Sequence, residues 1–323
     1  MQWLMPDSKR RQAEQRLQQI FSKSGLFSGL LIGGLVVAAH GLLATPYNRT
    51  PRPDAWADIS FVPIALSGGD QSTVRIARAW HLTSSDPRLG GLSTLAVDGT
   101  KLVAMTDSGV VIRLPRPGPG GHKALFHDLP NGPGDPRRKS RRDSEALTRL
   151  ADGDWLVAFE NRNQIWRYDA QFRSGRRVLD FDRQGWPVNR GVEAMAVDRA
   201  GDLLLIPEAR DTIIVVSDVV QYQPLASGGW TISDASRLPG GRMLLLLRKI
   251  GAGGFRNAIG ELTSTSAGWR VVERATLPIG GLDNAEGFAA EPLPAGGTRL
   301  WIVTDNDAVG YRRTLLLALD LRR

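Results

Sequence analysis

The chain has no cysteine at all and only four histidines in 323 residues. Lack of cysteine excludes disulfides, thiolate metal sites, a cysteine nucleophile and a lipoprotein anchor. A G-x-S-x-G elbow, a Walker loop and a G-x-G-x-x-G turn after a strand are also missing, which excludes a serine hydrolase of the usual kind and a nucleotide enzyme. After residue 50 there is no long amphipathic helical pattern, so alternating β and α units are excluded in favour of sheets alone. No nucleic-acid motif occurs, and basic residues do not interleave with aromatics on a strand, so no nucleic-acid partner is expected.

What is present suits one large all-β domain with many tight turns: 42% hydrophobic and 23% charged residues, 36 glycines and 19 prolines. Residues 25–44, GLFSGLLIGGLVVAAHGLLA, form an uncharged run long enough to cross a bilayer. Lys9, Arg10, Arg11, Arg16 and Lys23 precede it against Asp7 and Glu14, which keeps residues 1–24 in the cytoplasm and exports the chain beyond residue 44. The run reads as a transmembrane anchor or a signal peptide, and the poor cleavage site at Leu42-Leu43-Ala44 favours the anchor. Residues 45–58, rich in proline, read as an extended linker, and 59–323 as the folded domain on the periplasmic side of a bacterial inner membrane. Of the net charge of +8, the first 49 residues carry six basic and two acidic groups, so the exported domain is only mildly basic. A monomer is expected.

One figure recurs along this domain. GVEAMAVDRAGDLLLIPE runs from Gly191 to Glu208, with Glu193 near its start and Glu208 at its end. Two strands joined at Asp198–Gly201 would bring the second acid back to the first. DSEALTRLADGDWLVAFE aligns with it without a gap, Glu145 against Glu193 and Glu160 against Glu208. Further copies place Ser93 with Asp107, Asp234 with Arg248, and Glu286 with Asp305. Their starts at 93, 145, 193, 234 and 286 are spaced 52, 48, 41 and 52 residues apart, close to the period of a four-stranded propeller blade. Strands read at 61–66, 74–82 and 312–321 would complete the ring, giving a six-bladed β-propeller. Between the first two copies, 115–142 reads as a long solvated loop ending in PRRKSRR. His122, His127 and Asp128 within it are a weak metal signal.

In a propeller, equivalent positions form rings. Glu145, Glu193, Asp234 and Glu286 would share one mouth, with Asp107, Glu160, Glu208 and Asp305 beside them. Each close like-charge pair costs about 1 to 4 kcal/mol, so something must neutralise the acids. Two readings stand. A hard cation such as calcium would take these carboxylates together with Asn284 and Asn306. Alternatively, arginines neutralise them structurally: Arg142 and Arg190 each stand three residues before a first acid, Arg162 and Arg210 two after a second, and Arg248 occupies a second-acid position.

The stretches DSEALTRLADGDWLVAFENRNQIWRYD, RGVEAMAV, SDASRLPGGRMLLLLRK, NAEGFAAE and TDNDAVGYRRTLLLALDL, in this order, resemble the bacterial phytase-like domain described as having esterase-like activity. The resemblance implies a propeller whose recurring acids carry phosphodiesterase- or phytase-like activity, here at Asp143, Glu145, Glu160, Glu193, Glu208, Asp234, Glu286, Asp305, Asn306 and Asp307. β-Propeller phytases, which this architecture resembles, use calcium, although the Asp-Ala-x-Asp-Pro-Ala type of signature expected of them is absent. The expectation is an exported, metal-dependent hydrolase of a small anionic phosphoester or ester. Its ligands would be Asp143, Glu160, Glu208, Asp234, Glu286, Asp305, Asn306 and Asp307, with Glu145 or Glu193 as base and Arg190 and Arg248 steadying the transition state. The competing expectation is a non-catalytic envelope scaffold with an acid–arginine ring.

Overall fold

The computed structural model describes residues 49–66, 73–182, 191–208, 211–280, 283–306 and 313–322. The expected membrane segment, Arg190, Arg210 and Asp307 lie outside the described residues. Apart from single 3-10 turns at Lys139–Arg141 and Glu160–Arg162, the elements are all strands.

Two strands open the domain, β1 (Ala55–Pro63) and β2 (Val74–Ser84). β1 begins inside the segment read as a linker. A first antiparallel unit comes next, β3 (Leu92–Asp98), β4 (Lys101–Thr106), β5 (Val110–Pro115) and β6 (His122–Asp128). The second comprises β7 (Ser144–Arg149), β8 (Trp155–Phe159), β9 (Gln164–Tyr168) and β10 (Gly175–Asp180). The third contains β11 (Val192–Val197), β12 (Leu203–Pro207), β13 (Thr212–Val216) and β14 (Val220–Ala226). The fourth contains β15 (Thr231–Arg237), β16 (Met243–Gly251), β17 (Gly254–Thr265) and β18 (Gly268–Thr276). The last is β19 (Asn284–Pro292), β20 (Thr298–Asp305) and β21 (Leu315–Leu321), and β2 supplies its fourth strand beside β21.

The first strands of the five units neighbour one another in the closed order β3, β7, β11, β15, β19 and back to β3. Between each adjacent pair of units lies one hydrophobic cluster. This is why the second strands are apolar throughout instead of alternating. Leu203 and Leu205 of β12 pack toward the second unit, while Leu204 and Ile206 pack toward the fourth. The tryptophans serve the same packing: Trp155 stacks on Phe172, and Trp80 stacks on Trp301.

Six blades were expected, and the described residues form five units. Among the described residues the fifth copy has three strands, the early strand β2 lies beside β21 as its fourth, and β1 pairs with both β2 and β6. β2 and β1 thus join the last unit to the first in one continuous sheet, and among the described residues they form no separate blade. The expected loop at 115–142 likewise contains β6. Its His127 sits between Asp54 and the Phe172 carbonyl and His122 meets the Gly118 carbonyl, so the two do not form a metal pair.

Candidate active site at one end of the inner strands

In every unit the pairing of first and second strands skips one residue, a bulge that re-aims that side chain. The skipped residues are Ser93, Glu145, Glu193, Ser233 and Glu286. Opposite the residue two before each bulge stands the second position: Asp107, Glu160 and Glu208 donate their backbone N–H to the carbonyls of Gly91, Asp143 and Gly191, each at 2.8 Å. Arg248 pairs with Thr231, and Asp305 with Asn284.

Asp234 therefore does not hold the position expected of it. Ser233 does, and the ungapped match of Ser236-Arg237-Leu238 with Thr148-Arg149-Leu150 carried that register in the sequence. Asp234 is one residue further along and fully buried at the centre of the ring. Its carboxyl accepts from the Phe288 N–H at 2.7 Å, the Ala235 N–H at 2.8 Å and the Thr94 hydroxyl at 3.2 Å, joining the fourth unit to the fifth and the first. The residues in the equivalent place are small: Ala146, Ala194 and Gly287. A Cβ on Gly287 would lie 2.4 Å from Val303 and 2.7 Å from Thr94, so only glycine fits. Asp234 is a strut across the centre, and its burial raises its pKa well above the usual carboxylate range despite these donors.

The other acids do converge. Asp143, Glu145 and Glu160 offer carboxylate oxygens within 4.8 Å of one another, and so do Glu160, Glu193 and Glu208, with Glu160 common to both groups. Glu160 reaches the third unit because Gly191 has no side chain: a Cβ there would lie 2.7 Å from the Glu160 Cα and carbonyl oxygen. On the far side Arg248 Nη1 donates to Asn284 Oδ1 at 2.8 Å and to Glu286, while Asn284 Nδ2 donates to Glu286 Oε1 at 2.6 Å. Lys139 bridges Asp107 at 2.9 Å and Asp143 at 3.1 Å, and Asn161 donates to Asp143. Asn306 accepts from the Gly91 N–H at 3.1 Å, and Asp305 closes β20 opposite Asn284. Lys139 was missed in the sequence, where PRRKSRR read as a solvated run; its place four residues before Asp143 was the available signal. Arg142 turns away from the acids to the Asn131 carbonyl.

Asp107, Asp143, Glu145, Glu160, Glu193, Glu208 and Glu286 share the mouth, and Lys139 and Arg248 are the cations seen pairing with them among the described residues. Desolvation, then the neighbouring carboxylates, push Glu145 and Glu193 well above the usual carboxylate range. The same causes raise Glu160 to about 7, and burial raises Asp107 to about 6 against the pull of Lys139. Partial protonation is one way to hold these acids together. An all-oxygen donor set of this kind also fits a hard cation.

Arginines do lock the units together, at the other end of the inner strands. Asp98 receives Arg113 at 3.1 Å and also Arg149 of the second unit, and Arg116 of the first unit meets Glu291 of the fifth at 2.5 Å.

Residues 87–308 match the family described as phytase-like, esterase-like activity of phytase, and the chain belongs to that family. No curated protein matches the chain. Among solved structures, it is similar to a glutaminyl cyclase of Myxococcus xanthus (12% identity, 77% of this chain and 97% of that one, TM-score 0.47). It is also similar to a gluconolactonase of Xanthomonas campestris (12% identity, 84% and 99%, TM-score 0.43). A virginiamycin B lyase of Staphylococcus aureus shows 11% identity over 83% and 99%, with a TM-score of 0.44. At these scores the likenesses carry no argument about activity, and the architecture rests on the chain's own strand pairing.

Proposed function

We propose that the chain is a five-bladed, membrane-anchored periplasmic hydrolase that cleaves a phosphoester or ester at the carboxylate mouth with the help of a hard divalent cation, calcium in first place. The observation that carries this reading is the pair of carboxylate groups sharing Glu160, one with Asp143 and Glu145 and the other with Glu193 and Glu208. Arginines also clamp neighbouring units at the opposite end, without using the mouth acids.

Asp143, Glu145, Glu160 and Glu208 are the residues that would hold the cation. When bound, it would offset their charge and polarise a phosphoryl or carbonyl oxygen. Glu193, with its raised proton affinity, is the base that takes a proton from the attacking water and returns it to the departing alcohol oxygen. Arg248, held by Asn284 and Glu286, faces the anionic part of the substrate. Asp234 has no place in this chemistry. Melting the full chain with calcium, with magnesium and with a chelator tests the cation. A cation at a hundred times its dissociation constant adds about 2.7 kcal/mol, and coincident melts would sink the reading. Glu193→Gln separates chemistry from folding: turnover should vanish while the melt holds.

A further inference from the structure

The chain enters the folded domain at the mouth. Arg49 is held there by its backbone N–H, which donates to the Arg137 carbonyl at 2.9 Å, by Nη1, which donates to the Ser108 carbonyl at 2.6 Å, and by an ion pair with Asp128. The Arg52 backbone N–H adds a bond to Asp128 at 2.6 Å. Ser108 directly follows the mouth acid Asp107, and Arg137 stands two residues before Lys139, which bridges Asp107 and Asp143. Arg49 is therefore fixed on the rim of the mouth, and residues 45–48 alone separate it from the end of the apolar run.

That stretch is too short to stand the domain off from a bilayer. From Ala44 to Arg49 the chain makes five steps, at most about 18 Å when fully extended. β4 of the first unit is six residues long and covers about 20 Å between the rim and the turn at its other end. An anchor ending at Ala44 thus keeps the mouth rim, and not the opposite end of the unit, within reach of the lipid. The rim carries side chains that suit such a place. Trp56, the second residue of β1, is 59% exposed, whereas Trp80, Trp155 and Trp301 are packed inside the domain. Arg52, Arg137 and Arg138 are exposed on the same rim, and the acids beside them, Asp54 and Asp135, are paired with His127 and Arg137. Tryptophan and arginine are side chains that settle at the boundary of lipid and water.

We infer that the mouth rim of the first unit docks on the lipid surface of the membrane that anchors the chain, so that the mouth opens onto lipid headgroups and takes its phosphoester from a lipid. This rests on the anchor and hydrolase readings, but the docking is measurable without turnover.

The full chain has no cysteine of its own, so a fluorophore can be placed on a single introduced one. Ser140→Cys marks the exposed mouth rim, and Thr100→Cys marks the exposed turn at the opposite end of the first unit. Each labelled chain is placed in vesicles of phosphatidylethanolamine and phosphatidylglycerol that carry a nitroxide quencher on their headgroups. Emission should be lost at position 140 and kept at position 100. Equal loss at both positions, loss at 100 alone, or loss at neither would overturn the docking. A chain that does not float with the vesicles overturns the inference together with the anchor reading. Phosphate release is then compared, with calcium present, between phosphatidic acid in the vesicles and soluble glycerol 3-phosphate, the same phosphoester without its lipid. Phosphatidic acid should be turned over about tenfold or more faster at equal total concentration, because a substrate confined to the surface that the mouth faces is concentrated there. Docking with equal or faster turnover of glycerol 3-phosphate overturns the lipid substrate and leaves the hydrolase reading; docking with turnover of neither refutes the hydrolase reading and leaves the docking.

Discussion

Raising the pH should destabilise this protein over a range where many proteins are indifferent, and a divalent cation should cancel the effect. Glu160 moves from an ordinary 4.5 to about 7 on folding, and Asp107 from 3.8 to about 6. In the unfolded chain both are already mostly ionised at pH 5, whereas in the folded chain both still hold protons there. The folded state therefore binds more protons than the unfolded one, and stability falls as pH rises through the folded values. From pH 5 to 8 Glu160 contributes about two pH units of that slope and Asp107 about one. At 1.36 kcal/mol per unit the loss is at most about 4 kcal/mol, and about half of that is a fair expectation for such closely interacting acids. For a domain of this size the melting temperature in chelator should drop by about 4 to 8 °C between pH 5 and pH 8. Glu145 and Glu193 shift in the same direction and add to the fall. Calcium at pH 8 should restore most of it by taking the place of the protons, and should do little at pH 5. Glu160→Gln should flatten the slope in chelator. A melt that is level or rises from pH 5 to 8 without metal would refute the reasoning, because the acids would then already be compensated by cations of the chain.

Three further outcomes are expected. Asp234→Ala should cost about 3 kcal/mol or more, since it strands the Phe288 and Ala235 N–H groups at the centre, while Asp234→Asn should cost about 1 kcal/mol; in the Asn variant the calcium-induced rise in melting temperature should persist, as it would not for a ligand. Gly191→Ala should displace Glu160 and weaken calcium binding about tenfold or more by calorimetry, with a smaller loss of stability than Gly287→Ala, whose Cβ has no space to enter. Arg248→Leu should destabilise by about 3 kcal/mol at pH 8 and by much less at pH 5, because protonating the acids around it removes the charge it compensates; equal losses at both pH values, read from denaturant melts, would contradict that account.

Much of the architecture was legible because one physical constraint repeats. Each unit must cover both faces of its second strand, so LVAMT, LVAF, LLLIP, MLLLL and LWIVT all read as apolar runs at nearly constant spacing. Counting the units required knowing where the ends go, and β2 gives no local sign that it completes a unit whose other strands lie more than 200 residues away. β6 was hidden for a different reason. The glycines and prolines before it announce a loop, and HKALFHD has polar ends and only a short apolar middle, packed on β1 and β5. At the site, Glu145, Glu160, Glu193, Glu208 and Glu286 were visible as a periodic pattern, since the bulge requires the same backbone position in each unit.

Asp234 shows where such a pattern misleads. Alignment by charge placed it with the glutamates, yet a shift of one residue in a strand turns a side chain to the opposite face. Here that shift takes a carboxylate from the mouth to the centre of the ring, where backbone N–H groups hold it. The mouth is consequently uneven. The second and third units present glutamates at both positions, whereas the fourth presents a hydroxyl and an arginine, Ser233 and Arg248. An even ring of acids would bind cations without direction. This one places the two carboxylate groups that share Glu160 on one side and Arg248, held by Asn284 and Glu286, on the other.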